Sequence, residues 1–361
     1  GRSQRQDRLL QCDRMTDLFA LVDLLAERHA LTHEEYRALV KGQTPELAAY
    51  AAKKADSLRR EIYGTDIYVR GLIEIGNYCK NDCIYCGIRK SNTNCDRYQL
   101  TREQILECCE EGWDLGFRTF VLQGGEGIVP IHEVCELVGE IKSRSPNCAV
   151  TLSLGEYSRA DYQDMFDAGA DRYLLRHETA DKAHYEQLHP SFMSFDNRMR
   201  CLRDLKEIGY QVGCGFMVGS PYQTARTLAE DLKFIEEFRP EMCGIGPFIP
   251  QKDTPFRDFP AGTCEQTVYL LSLLRLIQPN LLLPATTALG TIRPDGRERG
   301  LQAGANVVMP NLSPLGVRKK YALYDGKLCT GEEAAQCIGC LSRRVASVGC
   351  RIVTARGDII R

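Results

Sequence analysis

The chain repeats one unit, in which a stretch of helical periodicity ends at a glycine and a short apolar run follows. The four clearest copies contain Gly116, Gly169, Gly209 and Gly304. Glycine accepts the left-handed backbone that ends a helix, so the next strand can begin at once. Crossover connections of this length are right-handed and return to the same sheet edge. The alternation therefore predicts a parallel sheet.

Eight strands are predicted, at residues 67–76, 119–124, 149–154, 171–177, 211–218, 242–248, 281–287 and 306–310. Helical periodicity covers residues 101–115, 131–144, 158–168, 181–208, 224–239, 264–278 and 295–303. This count predicts an α/β fold that closes as a complete (β/α)8 barrel, and a doubly wound open sheet is the alternative.

Two flanking regions complete the predicted organisation. Residues 1–60 read as an N-terminal helical extension, with helices at Met15–Ala30, Thr32–Lys41 and Thr44–Arg60. The barrel is expected over residues 61–312. Residues 313–361 are expected to form an irregular tail that contains cysteines, and residues 351–361 to form a solvated end.

Composition excludes several classes of function. The net charge is −2, from 46 basic and 48 acidic residues, which gives no electrostatic basis for binding nucleic acid or anionic lipid. No apolar run reaches the length of a membrane span, and the opening residues are too polar for a signal peptide. With 17 Cys in such a chain, we expect a reducing, cytoplasmic environment.

Cys79, Cys83 and Cys86 form a C-x3-C-x2-C pattern directly after the first predicted strand, with Tyr85 before the last thiol. Three thiolates can hold three irons of a 4Fe–4S cluster and leave the fourth iron open. The amino and carboxylate groups of S-adenosylmethionine (SAM) suit that iron. A zinc site would want a fourth ligand, yet the next cysteine, Cys95, is nine residues on. Another Fe–S or zinc site remains the alternative.

Polar residues follow several predicted strands, where a barrel collects its chemistry. Gly124, Gly125 and Glu126 follow the second strand, and a carboxylate there can accept from an ammonium group. Glu178 could accept from ribose hydroxyls and Arg198 could bind a carboxylate. The alternative for these two is a rim ion pair.

Arg172 and Arg176 lie four residues apart on one strand and share a face. Two guanidiniums in the barrel interior would need an anionic ligand. The alternative is pairing with local acids such as Asp171 or Glu178. His177 directly follows Arg176 and is expected to stay neutral in the core.

Cys329, Cys337 and Cys340 form a second trio in the tail. Three thiolates could carry an auxiliary 2Fe–2S or 4Fe–4S cluster. The alternative is an idle set in a cysteine-rich tail. The segment 319–324 just upstream is expected to lie over the barrel mouth.

These motifs resemble the radical-SAM enzymes, and in particular the HydE family of FeFe-hydrogenase maturases, within the group that also holds biotin synthase and methylornithine synthase. The resemblance covers about residues 67–340 and is strongest in segments 151–156, 171–178, 244–250, 284–290 and 304–310. Methylornithine synthase differs at the LLRHE and ATTALG stretches, and the lumen cysteines of biotin synthase are not evident. Gly124 stands where a serine is common, and Gln223 where a glutamate is common.

The resemblance implies a complete barrel with a closed internal cavity. SAM would lie on the cluster at the top of that cavity, and the residues that would contact it are Tyr85, Gly124, Gly125, Glu126, Ser153, Glu178 and Arg198. Cleavage of SAM would yield a 5′-deoxyadenosyl radical that attacks the sulfur of a cysteine-bound Fe(CO)2(CN) precursor. The implied substrate pocket consists of Thr151, Arg172, Arg176, Thr286, Thr287, Met309, Tyr321 and Tyr324.

Partners implied by the resemblance are other hydrogenase maturases and a reductant such as ferredoxin or flavodoxin. Two alternatives stay open. A related radical-SAM enzyme, for example of the methylornithine-synthase kind, could act on another small amino acid or thiol. A non-catalytic carrier of an Fe–S cluster or organometallic cargo would belong to another class, and SAM cleavage would discriminate between them.

Overall fold

The computed structural model describes residues 17–329 and 334–361. Three helices come first, α1 (Leu18–Arg28), α2 (His33–Lys41) and α3 (Pro45–Tyr63). Thr32 begins α2 with a capping box, in which its hydroxyl accepts from the backbone N–H of Glu35 and the Glu35 carboxylate accepts from the backbone N–H of Thr32. The predicted N-terminal helices are therefore present, apart from residues 15 and 16, which lie outside the described residues.

The strands, in chain order, are β1 (Asp66–Val69), β2 (Gly71–Gly76), β3 (Thr119–Gly124), β4 (Ala149–Ser153), β5 (Arg172–Leu174), β6 (Gln211–Cys214), β7 (Met217–Val218), β8 (Met242–Cys243), β9 (Gly246–Pro247), β10 (Val307–Val308) and β11 (Arg351–Val353). The other α-helices, in chain order, are α4 (Arg102–Asp114), α5 (Ile131–Arg144), α6 (Arg159–Asp167), α7 (Lys182–Leu188), α8 (Phe195–Ile208), α9 (Ala225–Phe238), α10 (Cys264–Ile277), α11 (Thr287–Ile292), α12 (Gly296–Gln302) and α13 (Ile338–Ser347).

Six of these strands form one parallel sheet in the order β2-β3-β4-β5-β6-β8. The four glycines of the repeated unit have φ angles of 96°, 118°, 116° and 111°, so each adopts the left-handed conformation that its position predicts. The α/β class with a parallel sheet is confirmed.

Several predicted strands are divided in two. The predicted strand 67–76 breaks at Arg70, because β1 pairs with β10 and β11 while β2 pairs with β3. Predicted strand 211–218 splits into β6 and β7, and 242–248 splits into β8 and β9. The inner pieces β7 and β9 pair only with each other within the described ranges. Each break occurs where the strand changes its hydrogen-bonding partner. The local apolar pattern cannot predict such a change, because the partners are distant in the sequence.

The predicted strand 281–287 contributes single bridges rather than a regular strand. Leu282 bridges Met242 and Pro284 bridges Val307, whereas residues from Thr287 onward form α11. Leu72 bridges Asn311 at the other edge of the sheet. The described residues thus form a six-stranded sheet, the three-stranded sheet β10-β1-β11 and the pair β7-β9, with single bridges between neighbouring segments. The complete eight-stranded barrel stays a prediction.

The N-terminal helices cover the outside of the sheet region. Helix α10 packs against α1, α3 and α9, and residues 269–277 of α10 are all buried. This packing explains why that helix is apolar around its circumference. No helix in the part of the chain that the structure describes combines the length and apolar character needed to span a bilayer.

The C-terminal segment differs from its prediction. Residues 351–353 form β11, which pairs with β1. Beyond it, Asp358 Oδ1 accepts from Arg172 Nη2 at 2.7 Å and from Gln211 Nε2 at 2.8 Å. The prediction of an irregular, solvated end was therefore wrong. The buried Arg172 guanidinium needs a carboxylate, and the tail supplies it.

Candidate active site

One cavity of about 400 Å³ lies at the carboxyl ends of the parallel strands. It is bounded by the loop after β2 that carries Cys79, Cys83 and Cys86, here called the cysteine loop, and by the segment after β10. It brings together most of the residues predicted from the sequence to line a site. Those lining it are Cys79, Cys83, Tyr85, Cys86, Gly124, Gly125, Glu126, Ser153, Arg176, Glu178, Arg198, Thr286, Thr287, Met309, Tyr321 and Tyr324. Parallel strands end at one edge, so residues distant in sequence meet there.

The cysteine loop follows β2 and turns its three thiols towards the cavity. Cys79 Sγ accepts from the backbone N–H groups of Asn81 at 3.4 Å and Glu126 at 3.3 Å. The loop is also anchored by Ile84 N, which donates to Leu188 O at 3.0 Å. No three His, Cys, Asp or Glu side chains within residues 17–329 and 334–361 are grouped to hold a single metal ion.

Burial raises the pKa of all three thiols, and that of Cys86 to about 12. Thiols with raised pKa values stay protonated near neutral pH unless a cation compensates the buried negative charge. Iron supplies such compensation, and its binding releases the thiol protons. The three thiols around one cavity therefore fit an Fe–S cluster chemically.

The end of β3 approaches the cysteine loop at a glycine. A Cβ on Gly125 would lie 1.6 Å from the carbonyl oxygen of Tyr78, so no other residue fits there without a backbone shift. Glu126 follows with its side chain largely buried, 3.3 Å from Lys80 Nζ. Burial raises the pKa of Glu126, which an ammonium ligand would counteract.

Glu178 and Arg198 face the cavity but do not pair with each other. Arg198 Nε lies 2.7 Å from Glu156 Oε1, while Arg176 Nε lies 3.2 Å from Glu178 Oε1. Burial opposes the charged form of Arg198, but attraction to Glu156 keeps its pKa well above the ordinary value. The rim ion pair that the sequence left open between Glu178 and Arg198 is thus replaced by two separate pairs.

Arg172 was wrongly predicted to line the substrate pocket. Arg172 begins β5, whereas Arg176 lies two residues beyond the end of β5 at Leu174. Four residues of extended chain span about 13 Å, so the two side chains lie at different depths. At the amino-terminal end of β5, Arg172 donates to Thr119 Oγ1 at 2.8 Å and to Asp358 Oδ1. The contacts leave it no role in an anion site with Arg176.

Thr151 is also not among the residues that line the cavity. It lies opposite Arg172 in the sheet register, two residues before the cavity residue Ser153. Its hydroxyl is buried, and no hydrogen-bond partner for it exists in the described ranges. Its predicted contact with substrate is not supported by this position.

An ion pair between Glu74 and Lys327 lines the cavity and was missed by sequence reasoning. Glu74 is fully buried on β2, and Lys327 comes from the segment after β10. Lys327 Nζ also donates to Tyr321 O at 3.0 Å, and Asn311 Nδ2 donates to the other Glu74 oxygen at 3.2 Å. A glutamate in the apolar run Gly71–Gly76 was the available signal.

The second cysteine trio lies outside this cavity. Cys329 is buried and Cys337 and Cys340 are half-buried. Cys340 Sγ accepts from Arg343 Nη2 at 3.3 Å. Residues 330–333, between the first two cysteines, are outside the described residues, and an auxiliary cluster stays a prediction.

Comparison with known proteins identifies the class to which this fold and cavity belong. The Radical SAM superfamily model matches residues 73–235, which include the cysteine loop and strands β3–β6. A solved structure of methylornithine synthase (PylB) superposes with a TM-score of 0.81 at 27% identity, over 92% of this chain and 97% of that chain. The fold and the cysteine loop therefore define a radical-SAM protein.

Two curated relatives narrow the assignment. The FeFe hydrogenase maturase subunit HydE of Thermotoga maritima is 45% identical over 298 residues, 82% of this chain and 85% of the relative. The 3-methylornithine synthase of Methanosarcina acetivorans is 29% identical over 336 residues, 92% of this chain and 93% of the relative. The chain belongs to the radical SAM superfamily, in the HydE family, and is a radical-SAM enzyme of the hydrogenase-maturase type. This family implies a 4Fe–4S cluster and SAM.

Proposed function

We propose that Cys79, Cys83 and Cys86 hold the 4Fe–4S cluster and that SAM binds beside it in the cavity. When bound and reduced, this cluster supplies the electron that cleaves SAM to methionine and a 5′-deoxyadenosyl radical. The observation that carries the proposal is the shared cavity, which the three half-buried thiols line together with unpartnered polar groups of the strand ends. A mainly apolar cavity with a few converging polar groups beside three thiols suits a cofactor and its ligand.

The SAM contacts follow from charge and position. Glu126 would accept from the methionyl amine, because its buried carboxylate lacks a full counter-charge beyond Lys80 at 3.3 Å. Glu178 Oε2, buried and without a hydrogen-bond partner in the described part of the chain, would accept from the ribose hydroxyls. Arg198 would bind the methionyl carboxylate, and Tyr85, Gly124, Gly125 and Ser153 would border the molecule.

The substrate would occupy the remainder of the cavity. Arg176 Nη2 and Thr286 Oγ1 are buried, and neither has a hydrogen-bond partner among the residues described. Buried, unsatisfied donors that face a cavity favour an anionic or strongly accepting ligand. Together with Thr287, Met309, Tyr321 and Tyr324 they suit a cysteine-bound Fe(CO)2(CN) precursor, on whose sulfur the enzyme would act in assembling the hydrogenase active-site cluster.

We also propose that the sheet closes as a complete (β/α)8 barrel over residues 61–312, between a helical extension at 1–60 and the extension at 313–361. The bridges from Met242 to Leu282 and from Pro284 to Val307 support this, since they connect β8 to β10. The bridge from Leu72 to Asn311 then joins that segment to β2. Other hydrogenase maturases and a ferredoxin or flavodoxin are the partners that this function requires.

The cluster assignment is tested by replacing all three cysteines with alanine. After anaerobic reconstitution and reduction, we expect the variant to bind fewer irons and to form no 5′-deoxyadenosine from SAM. A matched control replaces Cys108, Cys109 and Cys135, which lie on α4 and α5 away from the cavity. Undiminished SAM cleavage by the Cys79, Cys83 and Cys86 variant would refute the assignment.

The second trio is proposed to hold an auxiliary cluster that radical generation does not need, because none of its thiols lines the cavity. Replacing Cys329, Cys337 and Cys340 with serine should remove one cluster's iron and EPR signal while SAM cleavage persists. Loss of SAM cleavage together with that signal would contradict this division of roles.

A further inference from the structure

His177 and Asp231 form a buried pair behind the cavity wall that the proposed function does not use. His177 Nε2 lies 3.0 Å from Asp231 Oδ1, and both side chains are fully buried. His177 stands between the cavity residues Arg176 and Glu178, whereas Asp231 belongs to α9. Buried polar groups cost free energy unless they are hydrogen-bonded, and these two side chains bond to each other.

The backbone of Glu178 is held in an unfavourable conformation. Its φ angle is 64°, in the left-handed region that residues with a Cβ rarely adopt. Glu178 N donates to Gly215 O at 2.9 Å, and a single parallel bridge joins Glu178 to Phe216. Such strain persists only where neighbouring contacts enforce it, and it concentrates at ligand sites.

The pair supplies contacts on both sides of Glu178. Gly215 N donates to His177 Nδ1 at 3.3 Å, so Nδ1 is the unprotonated ring nitrogen and Nε2–H donates to Asp231. The same Asp231 oxygen accepts from the backbone N–H of Ala180 at 2.8 Å. One carboxylate oxygen on α9 therefore fixes the positions before and after Glu178.

The environment keeps this arrangement in one state. Burial lowers the pKa of His177 to about 3, so its ring stays neutral, as the sequence led us to expect. The ring packs 4.7 Å from Phe234 and 5.8 Å from Phe216, measured between ring centroids. Neither ring nitrogen can then change its partner without disturbing the packing.

We propose that His177 and Asp231 are positioning residues that hold Glu178 in its left-handed conformation and thereby keep its carboxylate at the cavity where SAM would bind. The inference rests on the proposed assignment of Glu178 to SAM. The carboxylate oxygen that would meet the ligand is the one that is buried without a hydrogen-bond partner in the described residues. Neither residue of the pair lines the cavity.

The test measures SAM affinity of the cluster-reconstituted enzyme in a double-mutant cycle. His177→Phe keeps an aromatic ring but removes both hydrogen bonds, and should weaken SAM binding about tenfold with the cluster retained. In the Glu178→Ala background the same change should add less than about twofold, because its effect passes through the missing carboxylate. Asp231→Asn keeps an acceptor oxygen and should retain most of the affinity, whereas Asp231→Ala should behave like His177→Phe.

The matched control is His184→Phe. His184 is another buried histidine of the same region, but its bonds go to the side chain of Thr179, Oγ1 at 3.0 Å, and to Pro221 O at 2.9 Å, and neither to Gly215 nor to Asp231. It should lower thermal stability without weakening SAM binding. If His177→Phe does not fold, Asp231→Ala replaces it in the cycle.

Equal weakening by His177→Phe in the presence and absence of the Glu178 carboxylate would overturn the positioning role, as would unchanged affinity in both pair variants. A different result identifies failure of the proposed function. If Glu178→Ala by itself leaves SAM affinity unchanged, the assignment of Glu178 to SAM is wrong, and the positioning proposal falls with it.

Discussion

Single residues of this cavity differ in what surrounds their charges. Both guanidiniums have a carboxylate neighbour, Glu156 at 2.7 Å from Arg198 Nε and Glu178 at 3.2 Å from Arg176 Nε. Arg176 Nη2, however, is buried and lacks a hydrogen-bond partner in the part of the chain described. Arg198, in the shorter of the two ion pairs, can orient a ligand through a directed hydrogen bond. The partly unsatisfied Arg176 guanidinium gains most from an anionic or accepting ligand.

Arg176→Leu should separate the two halves of the proposed reaction. We expect uncoupled SAM cleavage to persist largely intact, and transfer of the radical to substrate to be lost, because the substrate would lose its charged contact. EPR of the trapped adduct with a cysteine-bound iron complex measures the second step. Arg159→Leu, at an exposed ion pair on α6, is the matched control, and equal loss of adduct in both variants would speak against a substrate role for Arg176.

Arg198→Ala should raise the Kd for SAM about tenfold and leave the iron content unchanged, since a charge-assisted contact to the ligand is removed. Arg200→Ala, two residues further along α8 on a different face and bound to Asp204, serves as control. Calorimetry on the reconstituted proteins compares them. Arg198 is structural rather than ligand-binding if the two variants bind SAM equally well.

At the scale of elements, the segment 321–327 closes one side of the cavity. It is held through Lys327 to the buried Glu74, and through Leu323 O, which accepts from Gly87 N of the cysteine loop at 2.9 Å. The segment therefore links β2, the cysteine loop and the part of the chain that follows the sheet. Its order depends on a buried ion pair whose loss exposes an unpaired charge.

Lys327→Met should lower the free energy of unfolding by about 3–5 kcal/mol, because Glu74 would remain buried without its cation. Adding Glu74→Gln should recover much of that loss. Lys320→Met, which breaks a more exposed pair with Asp96, should cost less than about 1 kcal/mol. Chemical denaturation measures the free energy of unfolding of the three variants. Equal losses in Lys327→Met and Lys320→Met would show that the buried ion pair stabilises the protein no more than the exposed one.

For the whole molecule, the C-terminal segment closes the end of the sheet opposite the cavity. Asp358 contacts Arg172 of β5 and Gln211 of β6, and the carbonyl oxygen of Gly357 accepts from the buried Arg70 at 3.3 Å. Two adjacent residues of this segment thus accept hydrogen bonds from guanidiniums that lie more than a hundred residues earlier. This part of the chain stabilises the lower layer of the sheet on which the site is built.

Asp358→Asn should destabilise the protein at neutral pH. Although burial favours the neutral acid, hydrogen bonds from Arg356, Gln211 and Arg172 hold the pKa of Asp358 below its ordinary value. A depressed carboxylate pKa contributes stability above the unfolded-state pKa, about 4, and loses it as pH falls towards the folded-state value. The difference in unfolding free energy between the two proteins should therefore shrink below about pH 4.

Thermal unfolding across pH checks this expectation. Asp66→Asn, which breaks an exposed contact with Arg351 of the same segment, is the control and should have the smaller effect at neutral pH. A difference between Asp358→Asn and the parent protein that stays constant from pH 7 to pH 3 would contradict the linkage.

Much of the fold and site was predictable because it depends on local pattern. Glycines that end helices and apolar runs that follow them indicate a parallel sheet, and residues at strand ends meet at one edge for purely geometric reasons. The C-x3-C-x2-C spacing is equally local. The cavity accordingly gathers the cysteine loop, Glu126, Glu178 and Arg198 as expected.

Tertiary structure decided what depends on distant partners. The sequence predicts Arg172 and Arg176 on one strand, yet β5 ends before Arg176, and a carboxylate 186 residues away binds Arg172. Glu74 meets Lys327 across 253 residues, and no periodicity signals that pairing. The sequence determined the class of fold, the cysteine loop and the strand-end residues. Long-range packing alone decided which buried charges are neutralised by the chain and which remain for a ligand, because burial penalises every charge that lacks a partner.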